Sequence, residues 1–402
     1  VTTGVYIHVP FCKSRCSYCD FATDVYRSND AIERYVDALV AEVSRFADGT
    51  ALVVGSKSTI DGQEDNPETA PNPVDRNSKI DTIYFGGGTP SLLTAAQLER
   101  VVAAIHDAFA VEANAEFTLE MNPATVTPEK LSDFRALGVN RASFGVQTFD
   151  DRVLKFLARG HDSNDARRTF EILRATGFDN VSLDLIAGLP GQTVDEWERN
   201  LDEALALSPE HLSLYILEVH EGTPLAEQIR SGRRPVPDEN IAAEMYELMI
   251  EKTAASGLAQ YEISNFSKPG CESRHNSKYW SCEPVFGFGV SAHSFDGRAR
   301  YSNERDTNRF VGLIEAGEKP QVEHQLLSDE DLAAESAFLG LRFSRGIDLD
   351  EHVRRFGVDL RARFRDEIDR FVQMDLVELD RSRLRLTPKG MVFSNEVFSI
   401  FV

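Results

Sequence analysis

Cys12, Cys16 and Cys19 fall within eight residues, in the string Cys12-Lys13-Ser14-Arg15-Cys16-Ser17-Tyr18-Cys19. Three thiolates at this C-x-x-x-C-x-x-C spacing can wrap three corners of a cuboidal four-iron four-sulfur (4Fe-4S) cluster and leave the fourth iron without a protein ligand. An open iron is a reactive one; an electron carrier closes all four corners with cysteine. A structural zinc site asks for a fourth Cys or His in a second pair. His8 is in principle available, but it sits in an apolar strand pattern. Unligated thiols are the third reading. The chain has five cysteines in all, and the other two, Cys271 and Cys282, read as buried thiols. Few, clustered cysteines suit a metal and not a disulfide-stapled secreted fold, which predicts a cytoplasmic protein.

Other candidates fall where apolar runs end. Gly86, Gly87, Gly88, Thr89 and Pro90 form a turn in which a backbone can approach a ligand closely. Glu120 closes a third run, Gln147 a fourth, and Asp184 lies in a fifth, just before Gly188-Leu189-Pro190-Gly191; Arg159 follows Gln147 at a short distance. A carboxylate at the end of an apolar strand is costly unless it meets donors, and ribose hydroxyls are suitable ones. Taken singly, each of these side chains is equally readable as a core hydrogen bond or salt bridge. Taken together, Glu, Gln and Asp at one end of successive strands suit recognition of a polar, zwitterionic nucleoside.

The elements that must carry these residues follow from periodicity. Six β-rich runs, Val5–Val9, Thr82–Phe85, Phe117–Glu120, Ala142–Gln147, Val181–Ile186 and Leu212–Leu217, alternate with helical stripes. Ile32, Tyr35, Val36, Leu39, Val40 and Val43 trace the first stripe, and similar ones cover about 95–109, 165–176 and 194–207. Repetition of strand, helix, strand forces parallel pairing with right-handed crossovers. The choice is then between an open doubly wound sheet and a full or partial (β/α) barrel, whose binding residues would gather at the carboxyl ends of the strands. The stretch 49–80 has no aromatic residue and three prolines (Pro67, Pro71, Pro73), and reads as a surface insertion. A helix is expected over Glu239–Ala255, followed by a glycine- and aromatic-rich segment from Tyr261 to Ser302. Leu360, Phe364, Ile368, Phe371 and Val372 mark one further helix, and Leu376–Leu379 with Leu384–Thr387 a hairpin, together a small winged-helix-like α+β module.

The 402 residues carry 43 basic and 65 acidic side chains, a formal charge of -22. So acidic a chain repels polyanions at long range, which argues against nucleic acid as a partner and against general attraction to anionic lipid. No apolar run is long enough to cross a bilayer, and nothing at the N-terminus reads as a secretory signal.

The cysteine triplet directly after the first strand resembles that of the radical S-adenosylmethionine enzymes. The resemblance implies a 4Fe-4S cluster on Cys12, Cys16 and Cys19, with the open iron holding S-adenosylmethionine and Tyr18 packing on its adenine. Tyr6-Ile7-His8-Val9-Pro10-Phe11-Cys12, the Gly86–Ser91 turn, Gly145-Val146-Gln147 and Asp184-Leu185-Ile186-Ala187-Gly188-Leu189-Pro190 resemble, more narrowly, the oxygen-independent coproporphyrinogen III oxidase family. That likeness runs over nearly the whole chain. It implies a partial (β/α)6 barrel over 1–220, a barrel extension over 221–322 and a C-terminal module over 323–402. By motif, Tyr6, Gly87, Gly88, Thr89, Glu120, Gln147, Arg159 and Asp184 would contact S-adenosylmethionine. The oxidase itself carries a further cysteine two places beyond the third cluster ligand, where this chain has Phe21, and a long extension ahead of its cysteines. Both departures resemble the haem-chaperone branch of the family, in which the scaffold binds haem as cargo and passes it to acceptor haemoproteins, respiratory ones among them. His275-Asn276-Ser277-Lys278-Tyr279-Trp280 matches an H-N-x-x-Y-W motif of that branch. An imidazole can ligate haem iron and aromatic rings can cover the macrocycle, so His275, Tyr279 and Trp280 are the implied haem contacts, with Cys271, Cys282 and His293 as weaker alternatives. The competing expectation is a radical decarboxylase acting on coproporphyrinogen III.

Overall fold

The computed structural model describes residues 2–25, 28–47 and 78–401. Most of the stretch 49–80 expected to be a surface insertion lies outside the described residues. Its end does not: the second strand already begins at Lys79.

Six strands form the centre of the molecule: β1 (Thr3–Val9), β2 (Lys79–Gly87), β3 (Ala110–Met121), β4 (Arg141–Gln147), β5 (Val181–Ala187) and β6 (His211–Ile216). They neighbour one another in sequence order and every pair is parallel. A doubly wound sheet reverses strand order at a switch point; this one never does. The order is that of a (β/α)6 partial barrel, which settles the choice left by periodicity alone.

Helices α1 (Asn29–Ala47), α2 (Ala95–Ala108), α3 (Pro128–Ala136), α4 (Ser163–Ala175) and α5 (Val194–Ala206) return the chain between strands. Reciprocal caps start three of them, Thr94 with Gln97, Asp162 with Asp165 and Thr193 with Glu196, each satisfying two otherwise orphaned backbone donors. The helices cover the outward faces of the strands, where Val5, Ile7, Phe85, Leu119, Phe144, Leu183 and Leu214 are buried. Because side chains alternate along a strand, the intervening residues point inward, and they are polar: Tyr6 and His8, Tyr84, Thr118 and Glu120, Arg141 and Ser143, Ser182 and Asp184, His211 and Ser213. Their register pairs them across the sheet, Tyr84 with Thr118, Thr118 with Arg141, Glu120 with Ser143 and Asp184 with Ser213.

The sheet continues at both edges to twelve strands. Beyond β6 lie β8 (Asn265–Ser267) and then β7 (Ala259–Glu262), both antiparallel. On the other edge β9 (Val285–Phe288) pairs parallel with β1, followed by antiparallel β10 (His293–Phe295), β11 (Ala299–Asn303) and β12 (Gln321–Leu326). Helix α6 (Glu239–Ala255) matches its expected span, and the fully buried Trp197 donates from Nε1 to Met245 O on it at 3.1 Å.

The C-terminal module combines short helices with a three-stranded sheet ordered Ile347–Asp348, Arg383–Leu386, Val377–Asp380. The expected hairpin is present within one residue. The single helix expected over residues 360–372 is instead two, Leu360–Arg363 and Arg365–Gln373. The break is at Phe364 (φ -116°, ψ 34°), whose ring meets Phe401 edge-on at 5.1 Å. Tertiary packing of one aromatic side chain overrides a continuous stripe.

Candidate functional site

The cysteine loop hangs from the carboxyl end of β1 and is held at several points. Phe11–Cys12 pairs parallel with Asp24–Val25, Asp24 N–H donates to Pro10 O at 2.8 Å, Ser17 N–H to Leu157 O at 3.0 Å, and Leu225 N–H to Ser17 O at 2.8 Å. His8 ties strand to loop: its Nε2 lies 2.9 Å from Ala22 O, its Nδ1 3.1 Å from the Tyr6 hydroxyl. Both ring nitrogens of His8 are therefore engaged. Cys12, Cys16 and Cys19 are free thiols and half-buried. Burial pushes the Cys12 thiol up to about 11 and raises Cys19 as well, a cost that a bound metal centre would offset. Among the described residues no three His, Cys, Asp or Glu side chains converge as a single metal ion requires. Three thiols on one short loop suit one cysteine per corner of a larger cluster.

A polar chain joins the first two cysteines. Thr89 Oγ1 points at Cys12 Sγ (3.6 Å) and accepts from Asn122 Nδ2 at 2.7 Å. Asn122 Oδ1 accepts from Arg159 Nη2 at 2.7 Å, and Arg159 also donates to Gly145 O (2.6 Å), to Cys16 Sγ (3.3 Å) and to the Tyr18 hydroxyl at 3.5 Å. Arg159 thus bridges the loop and β4. The Tyr18 ring packs with Leu157, Ile186 and Leu189.

Deeper in the mouth, Glu120 accepts from the Tyr84 hydroxyl at 2.7 Å and from Gly87 N–H at 3.2 Å. Gly87 has φ +105°, a conformation open to glycine, and Gly88 N–H donates to Val9 O at 2.8 Å. Burial, reinforced by repulsion from Asp184, lifts the Glu120 carboxyl to about 7. Burial also raises Asp184, against the hydroxyls of Ser213 and Ser143. Gln147 is held at φ +70°, strained for a side chain of its kind, and its amide folds back over Gly145.

The six-residue aromatic motif divides. Helix α7 (Arg274–Trp280) starts against Glu116, whose two carboxylate oxygens accept from the backbone N–H groups of Arg274 and His275 at 3.0 Å each. His275 and Tyr279, four apart, share one face and point into the barrel from the end opposite the cysteines. His275 is fully buried, stacked on Tyr84 at 5.1 Å, with Nδ1 2.9 Å from Thr82 Oγ1 and Nε2 3.2 Å from the Tyr279 hydroxyl. Burial lowers it to about 3, so the ring is neutral. Trp280 faces away, under the Arg342 guanidinium at 4.1 Å. Cys282 lies among Phe295, Leu327 and Leu332, and His293 is exposed.

The structure therefore brings Cys12, Cys16, Cys19, Tyr18, Thr89 and Arg159 together, with Tyr6, Gly87, Gly88, Glu120, Gln147 and Asp184 around the adjoining mouth. His275 and Tyr279 line the far end of the same interior and Trp280 lies outside it. Asn122 and Tyr84 are additions that the sequence reading did not single out; the signal for Asn122 was its place just past Glu120 at the end of β3.

Comparison with known proteins bears on the whole chain. The Radical SAM superfamily model matches residues 6–204 and the HemN C-terminal domain residues 327–393. The protein named Heme chaperone HemW in Bacillus subtilis (strain 168) is 36% identical over 401 residues, covering 99% of each chain. This chain belongs to the HemW family. Bovine Radical S-adenosyl methionine domain-containing protein 1, mitochondrial, is 32% identical over 96% of this chain and 84% of its own. Coproporphyrinogen III oxidase (HemN) from Escherichia coli superposes with a TM-score of 0.82 at 22% identity, over 100% of this chain and 90% of that one, which establishes a shared fold. As a radical SAM protein, a HemW-family chain is expected to carry a 4Fe-4S cluster and S-adenosylmethionine, and the donor set above fits both. Among the described residues no helix is long and apolar enough to cross a membrane.

Proposed function

We propose that this chain is a haem chaperone, which takes haem as cargo in the cytoplasm and hands it to acceptor haemoproteins. The observation that carries the reading is the full-length likeness to HemW, and the free state of all five cysteines agrees with a reducing compartment. In this reading Cys12, Cys16 and Cys19 ligate three irons of the cluster. Tyr6, Gly87, Gly88, Thr89, Glu120, Gln147, Arg159 and Asp184 hold S-adenosylmethionine, with Tyr18 against its adenine. When bound, the cluster supplies an electron to the sulfonium group. Arg159 keeps the loop at a fixed distance from β4, and Glu120 and Asp184 accept from ligand hydroxyls. His275 and Tyr279 serve haem, with His275 Nε2 taking iron in place of its Tyr279 partner, whereas Trp280, turned outward under Arg342, packs outside that interior.

Anaerobic titration with haemin should give a Soret band that saturates near one haem per chain, and His275→Ala should weaken binding by about tenfold or more, the loss of one coordinate bond or charged hydrogen bond. Tyr279→Phe, which frees Nε2 and keeps the ring, should leave binding intact or tighter. Absence of a saturable band in the wild type would refute the proposal.

Glu120 sets a pH dependence. Its acid form is favoured in the ligand-free fold, so the stability it lends is complete below its ordinary value and is lost as pH rises through about 7. Acceptance from ribose hydroxyls needs the carboxylate. Affinity for S-adenosylmethionine is therefore expected to rise between pH 6 and 8, by up to about tenfold per pH unit below the midpoint, and Glu120→Gln should flatten the profile. Isothermal titration across that range checks it; a flat wild-type profile would count against Glu120 as the acceptor.

A further inference from the structure

Arg141 opens β4 on the inward face, beside Thr118, and is 2% exposed. Among the described residues its side chain has no ion pair within 4 Å, its Nε is buried without a hydrogen-bond partner, and Thr118 Oγ1 on the adjacent strand is equally unpartnered. Buried guanidinium groups are normally matched to an anion, because an uncompensated charge in a low-dielectric interior is unfavourable. The two inward carboxylates that its charge influences are committed elsewhere, Glu120 to Tyr84 and Gly87, Asp184 to Ser143 and Ser213. Both feel the charge of Arg141, and so do His211 and His275 toward the far end, so the guanidinium lies inside the barrel between the two.

Water reaches this interior. Tyr215 and Tyr279 are 41% and 37% exposed, although burial is the largest influence on both phenols. Exposure of that kind belongs to a confined, solvent-filled space, and Tyr6, Glu120 and Asp184 are half-exposed to it as well. From these observations we infer that Arg141, with the Thr118 hydroxyl, is a receptor for the carboxylate of a ligand held inside the barrel. The planar guanidinium fork matches a carboxylate bidentately. With Glu120 and Asp184 beside the same guanidinium, a singly charged carboxylate suits the place better than a multiply charged phosphate. A haem propionate is one source of the carboxylate, and rests on the function proposed above; the amino-acid end of S-adenosylmethionine is the other.

The test uses the full chain with its cluster reconstituted, as wild type, Arg141→Met and Arg141→Lys. Affinities are measured for haemin, for haemin dimethyl ester, whose propionates are blocked, and for S-adenosylmethionine; unfolding temperature is recorded without ligand. For a propionate, the wild type prefers haemin to its diester by about tenfold, as a charged hydrogen-bonded pair gives, Arg141→Met abolishes the preference and Arg141→Lys keeps part of it. For the adenosyl ligand, Arg141→Met weakens S-adenosylmethionine alone. In either case the unliganded Arg141→Met protein melts no lower than wild type, because an unmatched charge has been removed. Unchanged binding of both ligands overturns the inference, whether or not the variant melts lower. If wild type binds no haemin at all, the chaperone reading falls and the S-adenosylmethionine arm alone decides for or against Arg141.

Discussion

Replacement of Cys12, Cys16 or Cys19 by serine, one at a time, is expected to lower iron content after anaerobic reconstitution from about four atoms per chain to below about one, with loss of the broad visible absorption of the cluster. In the proposed site each cysteine serves a different iron, so no neighbour can stand in for the missing sulfur. Serine keeps the size of the side chain and lacks the soft thiolate that iron–sulfur chemistry requires. Cys271→Ser is the matched control, since Cys271 lies outside the loop; its iron content should equal that of wild type. Elemental analysis with visible spectroscopy reads both. Full iron in any of the three loop variants would remove the cluster from this site.

Gly88→Ala is expected to be nearly as damaging, through backbone and not through lost ligands. A Cβ at Gly88 would stand 2.6 Å from Pro10 O and 2.8 Å from Phe11 O, so main chain must move. Pro10 and Phe11 lead directly into Cys12, and Gly88 N–H is bonded to Val9 O. The substitution wedges the glycine-rich turn away from the cysteine loop. Overpacking of this type costs about 1–3 kcal/mol, which lowers the melting temperature by several degrees in a chain of this size, and S-adenosylmethionine affinity should fall by about tenfold or more. At Gly312, by contrast, a Cβ meets nothing within 4 Å; Gly312→Ala, in the helix Thr307–Glu315, should be neutral or slightly stabilising. Scanning calorimetry and ligand titration of the two variants side by side decide the matter.

The barrel was legible in the sequence through its outward face. Val5, Ile7, Leu119, Phe144 and Leu183 are apolar because helices cover them, and the stripes of those helices have ordinary amphipathic spacing. What escaped has identifiable causes. Helix α3 buries only Leu131 and Phe134, too few for a periodic signal. The inward residues Arg141, Ser143, His211 and Ser213 interrupt apolar runs, and in a linear pattern they look like weak strand positions; only the register reveals that they line one interior. Asn122 and Arg159 are 37 residues apart, and their 2.7 Å hydrogen bond depends on how β3 and β4 lie in the sheet. The H-N-x-x-Y-W string suggested a single patch, whereas helical geometry sends His275 and Tyr279 inward and Trp280 outward. The cysteine loop stood out in the sequence because its spacing is local, and the structure places it directly after β1.

The claim on which the rest depends is that the cysteine loop leaves one iron free to meet S-adenosylmethionine. Electron paramagnetic resonance of the dithionite-reduced, reconstituted protein, recorded before and after addition of S-adenosylmethionine, tests it most directly. A cluster signal whose g-values shift on addition, and which Arg159→Ala makes less responsive, is the predicted result. A signal indifferent to the ligand, or a metal analysis that returns zinc in place of iron and sulfide, would contradict it.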